Sequence, residues 1–434
     1  MIFEAQSYWL KNAHVPSCLL DVTPFLPSTR EGLCLVDLHI HQGNIQQVIP
    51  ANLTDQDLPS LDLQQQIILP CLIDVHTHLD KGHIWERSPN LEGTFSLALS
   101  QGNGDREKYW QPEDVYRRME FGLKCSYGHG TQAVRTHIDS SGKQAEISLD
   151  VFQSLQSAWQ NKITLQAVSL VSLDYYQTPE GIALADKIAE IGGILGGVGW
   201  ENPDLETQLD NIFTLAKERN LALDFHADEN GDRNSLCLQK IAQTAIKHDF
   251  SNQITCGHCC SLAVQSAEVV NKTIELVKQA GIAVVSLPMC NLYLQDRQPG
   301  ITPHWRGVTR VHELQRQGVP VAFASDNCRD PFFGFGDHDV LEVFEQAVRI
   351  AHLDAPYGDW IASVTTTPAK IMNLPLGKII PGNSADLIIF PARYFSELLA
   401  RSQHNRVVIR KGKKINTQLP NYRELDDLIE RSYT

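Results

Sequence analysis

The sequence carries little that would take it to a membrane or a polyanion. No apolar run reaches bilayer-spanning length, and the N-terminus lacks the basic region, apolar run and small-residue cleavage site of an exported protein. Positive charge is in deficit: 51 acidic against 37 basic side chains give a formal −14 at pH 7. Nucleic acid and anionic lipid are therefore repelled over most of the surface. The one basic cluster, RKGKK at Arg410–Lys414, reads as a solvated turn between two short strands. Low-complexity segments are absent. The 10 cysteines have no regular spacing, which argues against a secreted disulfide framework and for a reducing cytoplasm. These absences point to a cytoplasmic protein with a small-molecule partner. At 434 residues it is long enough for one large and one smaller domain without covalent staples.

From about Thr131 onward, helical and extended patterns alternate in the rhythm that builds parallel sheets. LETQLDNIFTLAKERN places Leu205, Leu209, Ile212, Phe213 and Ala216 on one helical face, and LALDFHADEN follows as a short apolar strand that turns polar. The unit recurs: AEVVNKTIELVKQAG, a helix stopped by Gly281, precedes IAVVSLP, and RVHELQRQG precedes VPVAFASDN. Pro112 suits the start of the helix feeding TQAVRTHID. Counting IILPCLIDVHTH, TQAVRTHI, ITLQAVSLV, GGILGGVGW, LALDFH, NQITCGH, AVVSL and VAFAS gives eight strands. That predicts an α/β fold built on a (β/α)8 TIM barrel over residues 67–374, although an open doubly wound sheet has similar periodicity. Residues 1–66 and 375–434 are expected to form a small β-sandwich domain from both chain ends. There CLVDLHIHQGNIQQVIP reads as two strands about a Gly43-Asn44 turn, and SADLIIFPA with RVVIRKGKKI as another pair. Residues 81–111 have no clear period and exceed an ordinary loop, so they are expected to cover an active site.

In PCLIDVHTHLDKGHI, residues two apart on a strand face the same side, so His76 and His78 project both imidazoles into one space at the end of the first barrel strand. Two neutral imidazoles there suit a zinc or iron ion, while the pair alone also fits two hydrogen-bonded surface histidines. His226 in LDFHADE, His258 in ITCGHCC and Asp326 in VAFASDN each end a strand of their own. In a barrel those ends meet at one face, the face that carries catalysis.

Taken in order, VHTHLD, FHADE, GHCC and ASDN resemble the metal-dependent amidohydrolase superfamily. VRTHID (134–139), GVTRVHEL (307–314) and DNCRDPF (326–332) are similar to its cytosine deaminase-like branch. The resemblance spans nearly the whole chain. It implies one divalent metal ion per chain, Zn or Fe, held by His76, His78, His226 and Asp326. The third strand ends without a lysine that could bridge two ions. It implies Glu229 as proton shuttle and His258 as a contact to the hydrolytic water or the scissile centre. The implied reaction is hydrolytic deamination of an amino-substituted nitrogen heterocycle, with metal-bound hydroxide attacking the C–N carbon. The chemistry asks for the same groups: a divalent ion brings the pKa of its water to about 7, a carboxyl such as Glu229 can deliver protons in turn, and Asp326 would orient the water and accept its proton. His137, Ser172 and Asn327 are the expected substrate contacts. The alternatives are removal of an N-alkyl amine from a triazine-like ring, since ASDNCRD also resembles hydrolases of that kind, and a barrel that has lost activity, which the intact ligand set opposes.

Two positions depart from the family pattern. Asn327 is neutral where a second acid often follows the metal-binding aspartate. Leu170-Val171-Ser172 stands where cytosine enzymes carry Phe-Pro-Gln. A serine cannot match both polar edges that a glutamine amide grips, so cytosine is expected to be a poor substrate and a larger or differently substituted ring a better one. Cys256, Cys259 and Cys260 read as packed thiols, since no second pair completes a zinc ribbon. Cys328 has no assigned role, and His83 and His338 read as solvated loop residues. A second deaminase fold is excluded, because the chain has H-x-x-E at His226 and no P-C-x-x-C. Large barrels of this kind are commonly homo-oligomers, but no residue of the sequence decides the oligomeric state here.

Overall fold

The structure is a computed structural model that describes residues 2–21, 26–53 and 58–429. These residues gather into two compact units. One holds the described residues up to Ile73 together with Cys125–Ala133 and Asp339–Leu419; the other holds Asp74–Lys124, Val134–His338 and the described residues from Pro420.

The barrel strands are β1 (Leu72–Thr77), β2 (Thr131–Asp139), β3 (Thr164–Leu170), β4 (Leu195–Gly199), β5 (Leu223–Ala227), β6 (Ile254–His258), β7 (Ala283–Ser286) and β8 (Val321–Phe323). β1, β2 and β3 form one hydrogen-bonded run, and β4 to β8 a second. Single parallel bridges join the runs at both seams: Val168 with Ile194 and Ser172 with Val198 link β3 to β4, and Thr77 with Asp326 links β1 to the end of β8. At that last seam the Asp326 N–H donates to the His76 carbonyl (2.9 Å) and Thr77 Oγ1 donates to the Asp326 carbonyl (2.8 Å). The eight strands therefore close into the expected barrel, and the open-sheet alternative falls.

Helix Leu205–Glu218 buries Leu205, Leu209, Ile212, Phe213 and Ala216, the face its spacing predicts. Helix Ala267–Gln279 starts at Ser266, whose hydroxyl accepts the Val269 N–H, and Gly281 follows it in the left-handed region at φ 67°. Residues 81–111 are more ordered than their sequence suggests, for Phe95–Tyr109 is a helix capped by Thr94. Its buried residues are Ala98, Gly102 and Asp105, and Asp105 is held by Arg87 (2.8 Å) and the Trp110 indole (2.7 Å). A face of small and charged residues leaves no apolar period to read.

In the other unit, an eight-stranded sheet draws strands from both chain ends, from Ser7–Pro16 to Lys413–Lys414. Leu10, Val36, Ile68, Leu387 and Ile409 share one core, so the sheet folds over on itself as a sandwich. The hairpin turn is one residue earlier than expected: Gln42 and Gly43 occupy it, at φ 48° and 82°. A Cβ on Gly43 would stand 2.8 Å from the Lys411 carbonyl oxygen, which fixes glycine there. No helix among the described residues is long and apolar enough to cross a membrane.

Candidate metal centre and active site

Three barrel strands end in non-glycine residues of left-handed backbone: Asp228 (φ 52°) after β5, His258 (φ 68°) closing β6, and Asp326 (φ 64°) beyond β8. Such conformations are costly and persist where the surroundings over-determine them. The Asp326 bend is braced by Asp74, whose carboxylate accepts the Ser325 N–H at 3.1 Å.

His78 Nε2 lies 3.2 Å and His76 Nε2 3.6 Å from the same Asp326 Oδ1. His226 Nε2 is 3.4 Å from His78 Nε2, and the His76 and His226 ring centroids are 4.6 Å apart. All four side chains are buried. Burial, reinforced by the neighbouring imidazoles and at His78 first by the Lys81 charge, pushes His76, His78 and His226 well below the ordinary imidazole range. They are neutral and keep their lone pairs. Both His76 nitrogens and both Asp326 oxygens have no hydrogen-bond partner among the described residues. Buried polar atoms left in that state cost free energy, and a divalent cation satisfies them together. The donor set fits a metal.

The approach of His76 depends on Gly257 in β6, where a Cβ would meet His76 Cε1 at 2.9 Å and Nδ1 at 3.1 Å. A glycine inside a strand signals close approach of another group, and "CGHCC" carried that signal beside His258. His137 lies beneath the centre, its ring centroid 3.8 Å from that of His76 and its Nε2 3.3 Å from Asp224 Oδ1. It is not among the residues lining the cavity above.

That cavity, of about 360 Å³, is lined by His78, His226, Glu229, His258, Ser172 and Asn327 on its polar side, and by Phe95, Leu99, Trp200 and Phe332 on its apolar side. Phe95, Leu99 and Arg106 come from the helix within residues 81–111, which thus walls the cavity as expected. Burial and the nearby Asp326 carboxylate raise the Glu229 carboxyl well above its ordinary range, and burial pushes His258 down to about 4. Asn291, which the sequence reading missed, ties the two together. Its Nδ2 is 2.9 Å from His258 Nδ1 and 3.5 Å from Glu229 Oε1. It follows β7 as His258 closes β6, so the strand-end argument could have found it. Lys81 was missed as well: it lines the cavity, pairs with Asp139 at 3.0 Å and sits 5.1 Å over the Phe332 ring. The Asn327 amide is committed internally, its Nδ2 donating to Asp330 (2.7 Å) and its oxygen accepting from the Cys290 thiol (3.6 Å).

Two sequence readings need correction. His83 and His338 are buried, not solvated, with their Nε2 atoms 3.2 Å apart. They are covered because the loops bearing them pack inward, where Phe121 meets the His83 ring edge-on at 4.8 Å. Cys256, Cys259 and Cys260 are buried free thiols, raised by burial, in keeping with packing.

A closed eight-stranded barrel with three imidazoles and a carboxylate converging at its strand ends defines a metal-dependent hydrolase. The chain belongs to the amidohydrolase family, whose model matches residues 121–414. It is 48% identical over 427 residues, 98% of this chain and 97% of the other, to a pterin deaminase of Rhizobium rhizogenes. With an N-isopropylammelide isopropyl amidohydrolase of a Pseudomonas species it shares 25% identity over 76% of this chain and 81% of the other. Among solved structures, the 5-methylcytosine deaminase of Klebsiella pneumoniae liganded with 5-fluorocytosine matches at a TM-score of 0.81 and 25% identity, covering 95% of this chain and 98% of that one.

Replacing His226 by Ala should strip the ion from this centre, as read by elemental analysis, and abolish turnover; a variant that kept both would remove His226 from the ligand set. Gly257→Ala should displace His76 at a cost of about 1–3 kcal/mol, the usual penalty of overpacking. It should also lower metal affinity with the circular dichroism spectrum unchanged. Wild-type metal affinity in that variant would show that the approach at Gly257 does not matter.

Proposed function

We propose that this chain is a hydrolytic deaminase of a pterin-class ring, replacing an exocyclic amino group by oxygen and releasing ammonia. The observation that carries the reading is 48% identity with a pterin deaminase over nearly the full length of both chains. The cavity agrees with it: about 360 Å³ between Phe95, Trp200 and Phe332 accommodates a flat bicyclic ring. The 25% identity with the N-isopropylammelide enzyme gives the triazine alternative less support.

His76, His78, His226 and Asp326 would hold the metal, zinc or iron, with nitrogen and oxygen donors suited to either. Such an ion supplies a water acidified enough to attack at neutral pH. Asp326 would orient a water held there and accept its proton. Glu229, with its carboxyl raised well above the ordinary range by burial and the Asp326 charge, is suited to hold a proton. It can pass that proton to the ring nitrogen beside the attacked carbon, then return one to the departing amine. With Asn291 Nδ2 donating to His258 Nδ1 at 2.9 Å, the imidazole proton sits on Nε2. From there it can stabilise charge developing on the oxygen being added. Ser172 offers the ring's amide edge one hydroxyl. The wall also carries Lys81, Asp139 and Arg106, with Asp139 paired to Lys81 at 3.0 Å and to Arg106 at 3.4 Å.

Glu229→Gln should retain the metal and lose about two to four orders of magnitude in kcat, the scale of general acid–base catalysis. Undiminished turnover by this variant would exclude Glu229 as shuttle. In an ammonia-release screen of pterins, amino-pyrimidines and amino-triazines, pterin should reach a kcat/KM within the usual 10⁴–10⁸ M⁻¹s⁻¹, roughly 100-fold or more above cytosine. A cytosine value of about 10⁵ M⁻¹s⁻¹ or higher would overturn the role given to Ser172.

A further inference from the structure

His83, Cys328 and His338 form a second cluster of metal-ligating side chains outside the centre above. All three are buried, and their ligand atoms lie within 4.8 Å of one another. The two Nε2 atoms are 3.2 Å apart. Two nitrogen ligands on one tetrahedral ion, with bonds of about 2.0–2.1 Å, stand roughly 3.3 Å apart. The first centre has the same donor spacing, 3.2 Å from His78 to Asp326 and 3.4 Å from His78 to His226. Burial holds the His83 imidazole well below its ordinary range, so it keeps a lone pair to offer. The two nearby cations each have a carboxylate partner: Arg118 pairs with Asp114 at 2.7 Å, and Arg329 pairs with Glu86.

We propose that His83, Cys328 and His338 bind a second divalent ion, zinc, at a site that holds two loops together and takes no substrate. A thiolate with two imidazoles is a zinc donor set, softer than the imidazole and carboxylate set of the first centre. Binding forms one Zn–S and two Zn–N bonds and releases the Cys328 thiol proton to solvent; the imidazoles bind neutral. The geometry gives the ion a task. Cys328 lies two residues beyond Asp326, and His83 five beyond His78. The same loops are already stitched by backbone bonds from His83 N–H to the Cys328 carbonyl (3.2 Å), and from Ile84 and Trp85 N–H to that of Arg329 (3.0 and 2.9 Å). The ion would pin the loop of Asp326 and Asn327 against the segment of Lys81.

The proposal does not rest on the deaminase reading. Protein purified from zinc-supplemented growth should contain about two zinc ions per chain, and Cys328→Ser about one, with deaminase activity present. His226→Ala should also contain one, without activity. Cobalt provides a separate readout, because thiolate-to-cobalt charge transfer absorbs in the near ultraviolet and the first centre has no thiolate. The band should be present in wild type and in His226→Ala, and absent in Cys328→Ser. Wild-type protein that binds cobalt without this band, or a band that survives Cys328→Ser, would overturn the proposal. The wild-type spectrum decides the matter even if a variant fails to fold.

Discussion

The seam between β1 and the end of β8 governs the rest of the site. Where Thr77 bridges Asp326, the Asp326 amide is bound to the His76 carbonyl and its side-chain oxygen comes within 3.6 Å of His76 Nε2. This seam thus closes one side of the barrel and also brings the His76 imidazole and the Asp326 carboxylate together. The desolvation that follows makes the imidazoles neutral and leaves the Asp326 oxygens without a hydrogen-bond partner among the described residues. A cluster of that kind is unfavourable by itself and becomes favourable with a cation, so the fold's closure and its need for metal are one constraint.

Proton handling depends on a different set of neighbours. Glu229 follows β5 by two residues, and burial together with the Asp326 charge raises its carboxyl well above the ordinary range. Asn291, delivered from beyond β7, fixes the His258 tautomer. An acid and a neutral imidazole are therefore prepared by environments that belong to three different strands.

Substrate choice is placed further out. The helix Phe95–Tyr109, Trp200 after β4 and Phe332 beyond β8 supply apolar walls, while His78, His226, Glu229 and His258 form the polar side of the cavity. Such a division lets the walls vary in width without moving the donors, which is how one barrel serves rings of different size.

The sequence by itself narrowed the fold to eight apolar strands alternating with amphipathic helices, a closed barrel or an open doubly wound sheet, and the bridges at the two seams decided for the barrel. The sequence determined the chemistry-bearing strand ends, since His76, His78, His226, His258 and Asp326 each follow a strand pattern that is local and periodic. Residues whose meaning lies in a contact between distant segments were not legible. The helix at 95–109 hides its buried face in Ala98, Gly102 and Asp105. His83 and His338 look like solvated loop residues until the fold closes a sequence separation of 255 positions and brings their rings together. Gly257 matters only because His76 occupies the space where its Cβ would be, and Asn291 only because it spans His258 and Glu229. Local periodicity reports which face of an element is apolar; which polar groups share a buried volume is decided when the barrel closes, because only then are they removed from water together.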